Sequence, residues 1–233
     1  MIRPQYTAQV GYDIDETLWC GVNDGFQDYL LRQGHRFDVQ VFRSSGGSWN
    51  AATGYSSARI SEIYAEYFHS PSCPDPLPIP GAYQTLCALR DVVPAQHVVT
   101  AREKTTKSKT ISQLAKHFPS CITHYSFQFT RRKNVAICQH GIDIFVEDSA
   151  VEAEIILKES DHPVWVILFI NFAVTQPRLR HERLICVPTW NEVVPDIPRH
   201  LQGRLWRQAW QETQDHISNL LELYYCRAPL CRI

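Results

Sequence analysis

The sequence lacks an excess of charge of either sign. Its 23 lysines and arginines are opposed by 24 aspartates and glutamates, which leaves a formal net charge of −1. A near-neutral chain gives no overall reason to expect a nucleic acid or a membrane surface as its partner. Charged residues make up 20% of the 233 residues and hydrophobic residues 44%, so the composition predicts a folded chain with one good core and argues against disorder.

Long hydrophobic segments are also missing. The longest apolar stretch, Val164–Val174, is interrupted by Asn171 and is too short to span a bilayer as a helix. It is typical of a central strand that is buried on both faces of a sheet. Residues 1–10 contain no apolar segment of the signal-peptide kind. We therefore expect no membrane partner and a cytoplasmic location.

The eight cysteines include no Cys-x-x-Cys pair, and the chain contains no internal repeat. A chain of this length does not depend on disulfides for a stable core. We therefore expect reduced and mostly buried thiols. Cys226 and Cys231, near the C-terminus, fit that expectation least.

The sequence does have an alternation of short apolar runs with longer amphipathic segments, which predicts a parallel α/β sheet. The predicted strands are Ala8–Asp13, Gln96–Thr100, Ile142–Val146, Val164–Ile170 and a short fifth at Ile185–Val187. The predicted helices of this part are Gly81–Arg90, Lys104–Lys116, Arg132–His140 and Ala150–Glu159.

Residues 18–80 interrupt the alternation. They contain two predicted helices, Asn23–Gln33 and Ala58–Phe68, separated by a flexible loop of serine and glycine at 44–48. Five prolines within 71–80 predict a rigid connector. We therefore predict an α/β core of residues 1–17 and 81–198, a helical insertion of residues 18–80 above the strand ends, and an amphipathic C-terminal helix and tail at 199–233.

Two carboxylates one residue apart follow the first predicted strand. The chain bends where a strand ends, so Asp13 and Asp15 can converge on one ligand. Two close carboxylates repel each other and attract a divalent cation. With a metal in place, one can act as a nucleophile while the other moves a proton. An EF-hand calcium loop is excluded because Leu18 stands where that loop requires glycine, whereas a solvated acidic turn stays open.

Four further positions suit the same chemistry. Thr100 ends an apolar run, and its hydroxyl with the following backbone N–H groups suits a phosphate oxygen, although a helix N-cap is the alternative. Lys133 starts a predicted helix, where a solvated surface lysine is the alternative. Glu147 and Asp148 end another strand and can complete an oxygen-rich Mg²⁺ shell, although they also suit the N-terminus of the next helix.

These pieces have the order, spacing and strand-end context of the haloacid dehalogenase-like (HAD) superfamily, which the sequence resembles from Tyr6 to about Ile197. The family's four motifs match Asp13, Asp15 and Thr17; Thr100; Lys133; and Glu147 with Asp148. Pro80-Gly81 and residues 187–192 also look like the cytosolic and mitochondrial deoxyribonucleotidase branch. The resemblance implies a Rossmann-like parallel sheet flanked by helices, with a small helical cap inserted after the first strand.

The resemblance also implies a Mg²⁺-dependent phosphomonoesterase. Asp13 would attack phosphorus and form an aspartyl-phosphate, and Asp15 would protonate the leaving oxygen and then activate water. Dehalogenases of the superfamily lack an acid at the position of Asp15, so a phosphate ester is the expected substrate. Thr100, Ala101 and Lys133 would hold the phosphoryl oxygens.

The implied Mg²⁺ site consists of the Asp13 carboxylate, the backbone carbonyl of Asp15 and the Asp148 carboxylate. Glu147 or Asp143 is expected nearby. The metal would act as a Lewis acid and as a template.

Substrate selection is expected in the aromatic-rich insertion. Trp19 and Phe26, close to the first strand, are the pocket candidates, with Thr17 and Arg102 beside them, although most insertion aromatics are expected to form the cap's own core. Two basic clusters favour an anionic substrate; they are Arg102, Lys104, Lys107 and Lys109, and Arg131, Arg132 and Lys133.

Several alternatives stay open at this stage. The expected partner is a small phosphorylated substrate, and the likeness to the deoxyribonucleotidase branch suggests a (deoxy)nucleoside monophosphate; a sugar phosphate, a phosphoprotein or a nucleic-acid end is the alternative. A nucleic acid is not expected, because no recognised nucleic-acid motif is present. A catalytically silent interaction protein and a structural metal-binding domain account for fewer of the motif residues. A monomer and a homodimer are both compatible with the sequence.

Overall fold

The computed structural model describes residues 9–45, 47–90, 93, 95–128, 132–169, 181–187 and 189–190. The predicted C-terminal helix and tail at 199–233, Arg131 and residues 188, 191 and 192 of the segment 187–192 lie outside them. The elements in chain order are β1 (Gln9–Tyr12), β2 (Trp19–Cys20), α1 (Val22–Arg32), α2 (Val39–Ser44), α3 (Trp49–Thr53), α4 (Ser57–His69), β3 (Leu77–Pro78), α5 (Ala82–Arg90), β4 (Ala95–Thr100), a 3₁₀ turn (Lys104–Thr106), α6 (Lys107–His117), β5 (His124–Phe127), α7 (Lys133–His140), β6 (Ile144–Glu147), α8 (Ala150–Glu159), β7 (Trp165–Phe169) and β8 (Leu184–Val187).

Six of these strands form one parallel sheet in the order β5-β4-β1-β6-β7-β8. The central strands β1, β6 and β7 are almost wholly buried, as the near-continuous apolar runs predict for strands that are covered on both faces. The strand order reverses at β1, which is flanked by β4 and β6. This confirms the predicted α/β class and places the carboxyl ends of β1, β4 and β6 side by side, where such sheets bind ligands.

The edge strand β5 has no counterpart among the predicted strands. Its residues His124, Tyr125 and Ser126 are exposed or half-buried, and only Phe127 is buried. An edge strand that carries few buried side chains produces neither an apolar run nor a clear alternation. It is defined by its backbone pairing with β4, which the sequence pattern does not reveal.

Four helices and a two-stranded ribbon lie between β1 and α5. An aromatic cluster centred on Phe26 fills the interior of the helices, with ring contacts to Trp49, Tyr64 and Tyr67. Helices α2 and α3 flank the predicted loop of serine and glycine; sequence analysis predicted neither of them. Asp38 and Ser48 cap their N-termini, which accounts for helices this short.

The proline-rich connector contributes to the structure through strand pairing. Its residues Leu77 and Pro78 pair antiparallel with β2, and the backbone N–H of Ile79 donates to the carbonyl of Leu18. The connector is therefore attached directly to the chain that leaves β1. Among the described residues, no helix is long and apolar enough to cross a membrane.

Gly25 allows α1 and α4 to pack closely. A Cβ atom at Gly25 would lie 2.2 Å from the hydroxyl of Tyr67 and 3.3 Å from its ring carbon Cζ. Gly25→Ala should therefore lower the free energy of unfolding by roughly 1–3 kcal/mol, although alanine favours a helix by about 1 kcal/mol. Thermal or urea unfolding measures the effect.

The double variant Gly25→Ala/Tyr67→Phe is the matched control, because phenylalanine removes the clashing hydroxyl. We expect the double variant to be more stable than the sum of the two single variants predicts. Additive effects would contradict the proposed clash.

Candidate active site

The turn after β1 presents both aspartates of the first motif. The backbone N–H of Asp13 donates to the carbonyl of Val146 at 2.9 Å, which continues the sheet by one residue. The chain then reverses, since the N–H groups of Leu18 and Trp19 both donate to the carbonyl of Ile14, at 2.8 and 3.0 Å. Asp13 is 6% exposed and lies at the carboxyl end of the central strand β1.

Glu16 closes this turn in an uncommon conformation. Its φ of 57° lies in the left-handed region that non-glycine residues seldom adopt. Its side chain accepts a 2.8 Å hydrogen bond from the backbone N–H of Asn23 in the first turn of α1. Gly21, the N-cap of α1, has no side chain to cap that helix, so Glu16 provides the cap and ties the turn to the insertion.

Lys133 brings β1, β6 and α7 together. Its Nζ lies 2.8 Å from Asp13 Oδ1 and 2.7 Å from Glu147 Oε2, and its side chain is 4% exposed. Burial by itself would lower the pKa of Lys133, but Asp13, Glu147 and Glu152 outweigh burial and raise it. The amine therefore stays protonated, and its positive charge is directed at the Asp13 carboxylate.

Glu147 uses both carboxylate oxygens in the protein. Its Oε2 accepts from Lys133, and its Oε1 accepts from the backbone N–H groups of Asp148 and Ser149, at 3.2 and 3.0 Å. It is fully buried. Glu147 thus holds both Lys133 and the loop after β6, and that loop directs Asp148 toward the sheet edge.

Asp13, Glu147 and Asp148 place carboxylate oxygens within 4.8 Å of one another. Burial, which Lys133 opposes and to which Glu147 and Asp15 add, raises the pKa of Asp13 to about 7. Burial, Glu147 and Asp13 raise the pKa of Asp148 well above its ordinary value. Both pKa shifts come first from burial and then from neighbouring carboxylates that a single lysine does not balance, and a bound cation would stabilise the ionised forms.

Asp15 forms a bidentate ion pair with Arg102 of the loop after β4. Arg102 Nε and Nη2 donate to the two Asp15 carboxylate oxygens at 3.0 and 2.5 Å, and Nη1 donates to Thr110 at 3.2 Å. The guanidinium also lies over the rings of Trp19 and Phe68, at 4.9 and 4.2 Å. Arg102, 6% exposed, therefore contacts the first-motif turn, the insertion and α6 at once.

Thr100 lies at the end of β4, beside β1. It is 1% exposed, and its hydroxyl accepts the backbone N–H of Arg102 at 3.2 Å, which shapes the loop that follows β4. Thr17 is also fully buried, and its hydroxyl lies 3.5 Å from Asp148 Oδ1. Both side chains belong to the same sheet edge as Asp13, as the sequence predicts; their roles toward a substrate stay predictions.

Asp143 does not join this cluster; of the two alternatives, Glu147 and Asp143, it is Glu147 that lies beside Asp13 and Asp148. The residue precedes β6, and its Oδ2 accepts the backbone N–H of Gln9 at the start of β1. It stands four positions before Glu147, and that spacing corresponds to about 13 Å along a strand. Asp143 therefore secures the amino ends of two strands, at the opposite edge of the sheet from Asp13.

The two pocket candidates of the insertion are both fully buried. Phe26 is surrounded by the aromatic core of the insertion, and Trp19 lies beneath the Arg102 guanidinium. Neither ring has a free face to stack on a ligand in this structure. Arg102 likewise faces Asp15 and does not project into open solvent.

Three contributors were missed from the sequence. Glu152, 6% exposed, adds negative charge near Lys133; its place three residues after the N-cap Ser149 resembles a capping box, which could have drawn attention to it. Phe68 of α4 packs on Arg102. Trp190 Nε1 donates to the carbonyl of Thr17 at 2.8 Å across 173 residues, a contact that no local pattern signals.

Solved structures with a similar fold include the CbbY protein of Rhodobacter sphaeroides in complex with xylulose-(1,5)bisphosphate, with a TM-score of 0.56, 10% identity, and coverage of 79% of this chain and 95% of that chain. CbbY in complex with phosphate has a TM-score of 0.55 and 11% identity, with coverage of 81% of this chain and 96% of that chain. A HAD-superfamily hydrolase from Ehrlichia chaffeensis has a TM-score of 0.51 and 11% identity, with coverage of 85% of this chain and 100% of that chain.

No protein-family model matches the sequence, and no curated protein matches it either. The structural likenesses, at identities this low, establish the fold alone. That fold is haloacid dehalogenase-like, in agreement with the motif order and with the strand order described above.

A divalent cation should stabilise the protein through Asp148. Saturating Mg²⁺, at about 100 times its Kd, would add about 2.7 kcal/mol, which corresponds to a Tm increase of roughly 5–10 °C for a chain of this size. Thermal unfolding with and without MgCl₂ measures it. Asp148→Asn should remove most of the increase, because it removes one anionic oxygen ligand.

Asp143→Asn is the matched control, since asparagine still accepts the hydrogen bond from Gln9. It should keep the full Mg²⁺-dependent increase. Equal increases in the two variants would show that the cation binds elsewhere.

Proposed function

We propose that this chain is a phosphomonoesterase that works through an aspartyl-phosphate on Asp13. The observation that carries the proposal is the 2.8 Å contact between an Asp13 carboxylate oxygen and Lys133 Nζ, beside carboxylate oxygens of Glu147 and Asp148 that lie within 4.8 Å of the Asp13 carboxylate. A buried carboxylate beside a fixed cation is suited to attack an anionic phosphate, whose charge the cation attracts.

The donors around Asp13 fit a hard divalent cation. They are all oxygens, and burial together with the neighbouring carboxylates raises the pKa values of Asp13 and Asp148, which a bound cation would oppose. Asp13, Asp148 and the backbone carbonyl of Asp15 would hold it, because both Glu147 oxygens are already engaged. When bound, Mg²⁺ would neutralise phosphoryl charge and orient the ester for in-line attack.

Lys133 and the loop after β4 would hold the phosphoryl group. Lys133 is already fixed between two carboxylates, so little reorganisation accompanies its contact with a phosphoryl oxygen. Thr100 and the N–H of Ala101 stand at the end of the neighbouring strand. Together they would surround the three equatorial oxygens that carry the developing charge.

Asp15 would supply the proton for the leaving oxygen and then activate water. Both of its oxygens accept from Arg102 in this structure. Proton transfer therefore requires one of those oxygens to turn away from Arg102 toward the substrate. Arg102 would position Asp15 between turnovers, and the arginine is itself fixed by Thr110 and two aromatic rings.

A small phosphorylated sugar or polyol is the substrate class that we favour. CbbY, a protein of similar fold, is solved with xylulose-(1,5)bisphosphate. The insertion aromatics nearest the turn, Trp19 and Phe26, are buried, so they provide no stacking platform for a base. Without stacking, the site would recognise a sugar or polyol through hydrogen bonds to its hydroxyl groups.

A nucleoside monophosphate is the second candidate. The resemblance of residues 187–192 to the deoxyribonucleotidase branch favours it, and Trp190 of that segment does contact the Thr17 carbonyl. This contact supports a part for the segment in shaping the first-motif turn. The contact does not involve a surface on which a nucleobase would bind.

Asp13→Asn should reduce turnover of 4-nitrophenyl phosphate with Mg²⁺ by roughly 10⁴-fold or more, because the variant lacks the nucleophile. An unchanged Tm and circular dichroism spectrum would show that the fold is retained. Retention of substantial turnover by a folded variant would refute the aspartyl-phosphate.

Asp15→Asn should separate the two half-reactions. 4-Nitrophenolate leaves without a proton, so the first step should persist while hydrolysis of the intermediate slows by about 10²–10⁴-fold, the usual range for general acid–base catalysis. Rapid-quench assays should show a burst of about one 4-nitrophenolate per enzyme followed by slow turnover. An alkyl phosphate should show no burst, because its leaving oxygen needs the proton that Asp15 supplies. Equal losses of turnover rate for both substrates, without a burst for either, would contradict this role of Asp15.

A panel of phosphate esters tests the substrate class. Pentose and hexose phosphates should give kcat/KM values at least about tenfold above those of nucleoside monophosphates, a difference of about 1.4 kcal/mol in transition-state binding. The reverse order would favour the nucleotidase alternative and leave the aspartyl-phosphate mechanism intact.

A further inference from the structure

Two cysteines that are distant in the chain lie in direct contact outside the phosphatase site. Cys87 is on α5, and Cys121 is in the loop between α6 and β5; their Sγ atoms are 3.2 Å apart and share a hydrogen bond. Neither cysteine takes part in the hydrogen bonds and ion pairs of Asp13, Asp15 and Lys133 described above. The pair therefore has a chemistry that the proposed function does not use.

Cys87 is the accessible member of the pair. It is half-buried and so can be reached from solvent. Tyr83, one turn earlier on the same face of α5, is 39% exposed, and the neighbouring Cys87 raises the pKa of its hydroxyl. Arg90, one turn later, places a positive charge near the pair that only partly opposes the raised pKa of Cys121. Cys87 is therefore the member of the pair that solvent reaches, and its sulfur already lies against that of Cys121.

Cys121 has the opposite surroundings. It is fully buried between Phe118 and Ile122 in the main core. Burial, followed by the hydrogen bond and the charge of Cys87, raises the pKa of Cys121 to about 12. It therefore remains a protonated thiol. A reagent from solvent meets Cys87 first and can reach Cys121 only after it.

We propose that Cys87 and Cys121 are the reactive and resolving thiols of a reversible disulfide, formed with a small disulfide oxidant of the glutathione disulfide type. The Cys87 thiolate attacks one sulfur of the oxidant, whose S–S bond breaks and releases one thiolate. Cys121 gives up its proton and attacks Cys87 Sγ, which expels the second thiolate. Two electrons and two protons pass from the protein thiols to the oxidant, which becomes two thiols.

The local structure permits this bond. A disulfide requires the two sulfurs to approach to about 2.05 Å, so each has to move by well under 1 Å. Cys121 lies in a turn after α6, next to Ser120 with its φ of 60°, and no helix or strand fixes its position. The bond would close the chain between two residues that are 34 apart. The closed segment contains β4, Thr100 and Arg102.

The test is peptide mapping by mass spectrometry under non-reducing conditions, after incubation of the full chain in glutathione buffers of increasing oxidising potential. The expected product is a linked peptide pair that contains Cys87 and Cys121, with the loss of two free thiols and recovery by dithiothreitol. Oxidation should also raise Tm by roughly 5–10 °C, since a cross-link restricts the unfolded chain.

Three variants assign the order of events. Cys121→Ala should trap glutathione on Cys87 as a mixed disulfide, whereas Cys87→Ala should leave Cys121 unmodified in the same buffer. Cys186→Ala, which removes an exposed thiol, is the control and should behave as the unsubstituted chain. If Cys121→Ala does not fold, the peptide map of the unsubstituted chain and the Cys87→Ala variant together decide.

The proposal is overturned if the oxidised chain contains no Cys87–Cys121 peptide while Cys186 is glutathionylated. It is also overturned if Cys121 is modified equally in Cys87→Ala, because a buried resolving thiol should then be protected. These measurements detect thiols and do not depend on turnover, so their outcome is separate from that of the phosphatase assays.

Discussion

The buried ammonium of Lys133 is the element on which the arrangement of the site depends. It lies between Asp13 and Glu147, at 2.8 and 2.7 Å, in a region from which water is nearly excluded. Two carboxylates this close would repel each other strongly without it. A buried ion pair adds little net stability, but removal of one partner is costly because the remaining charge is left uncompensated. The site is therefore specified by charge balance that only the complete set of residues provides.

That balance is possible because the sheet is parallel. In a parallel sheet the carboxyl ends of all strands meet at one edge, so Asp13 after β1, Thr100 at the end of β4 and Glu147 at the end of β6 become neighbours although they are distant in the chain. The same geometry separates Asp143 from them. It belongs to the same strand region as Glu147 but lies at the amino end, where it serves strand pairing instead.

Arg102 extends the charged network from the sheet to the insertion. Its bidentate pair with Asp15 is reinforced by Thr110 and by the rings of Trp19 and Phe68. On the other side of the turn, Glu16 caps α1. The start of the insertion, at Trp19 and α1, and helix α4, at Phe68, thus contact residues that hold the turn presenting Asp13 and Asp15.

The sequence by itself determined the α/β class, the order of most helices and strands, and the positions that carry the motifs, because strand-end carboxylates and apolar runs are local patterns. Only the tertiary structure decided what those residues contact. It separated Asp148, whose oxygens can face a cation, from Glu147, whose oxygens are engaged, and it paired Arg102 with Asp15. It also revealed β5, the contact of Trp190 with Thr17 and the meeting of Cys87 with Cys121. Those features arise from contacts between residues that are distant in the chain, and a local pattern carries no record of such contacts.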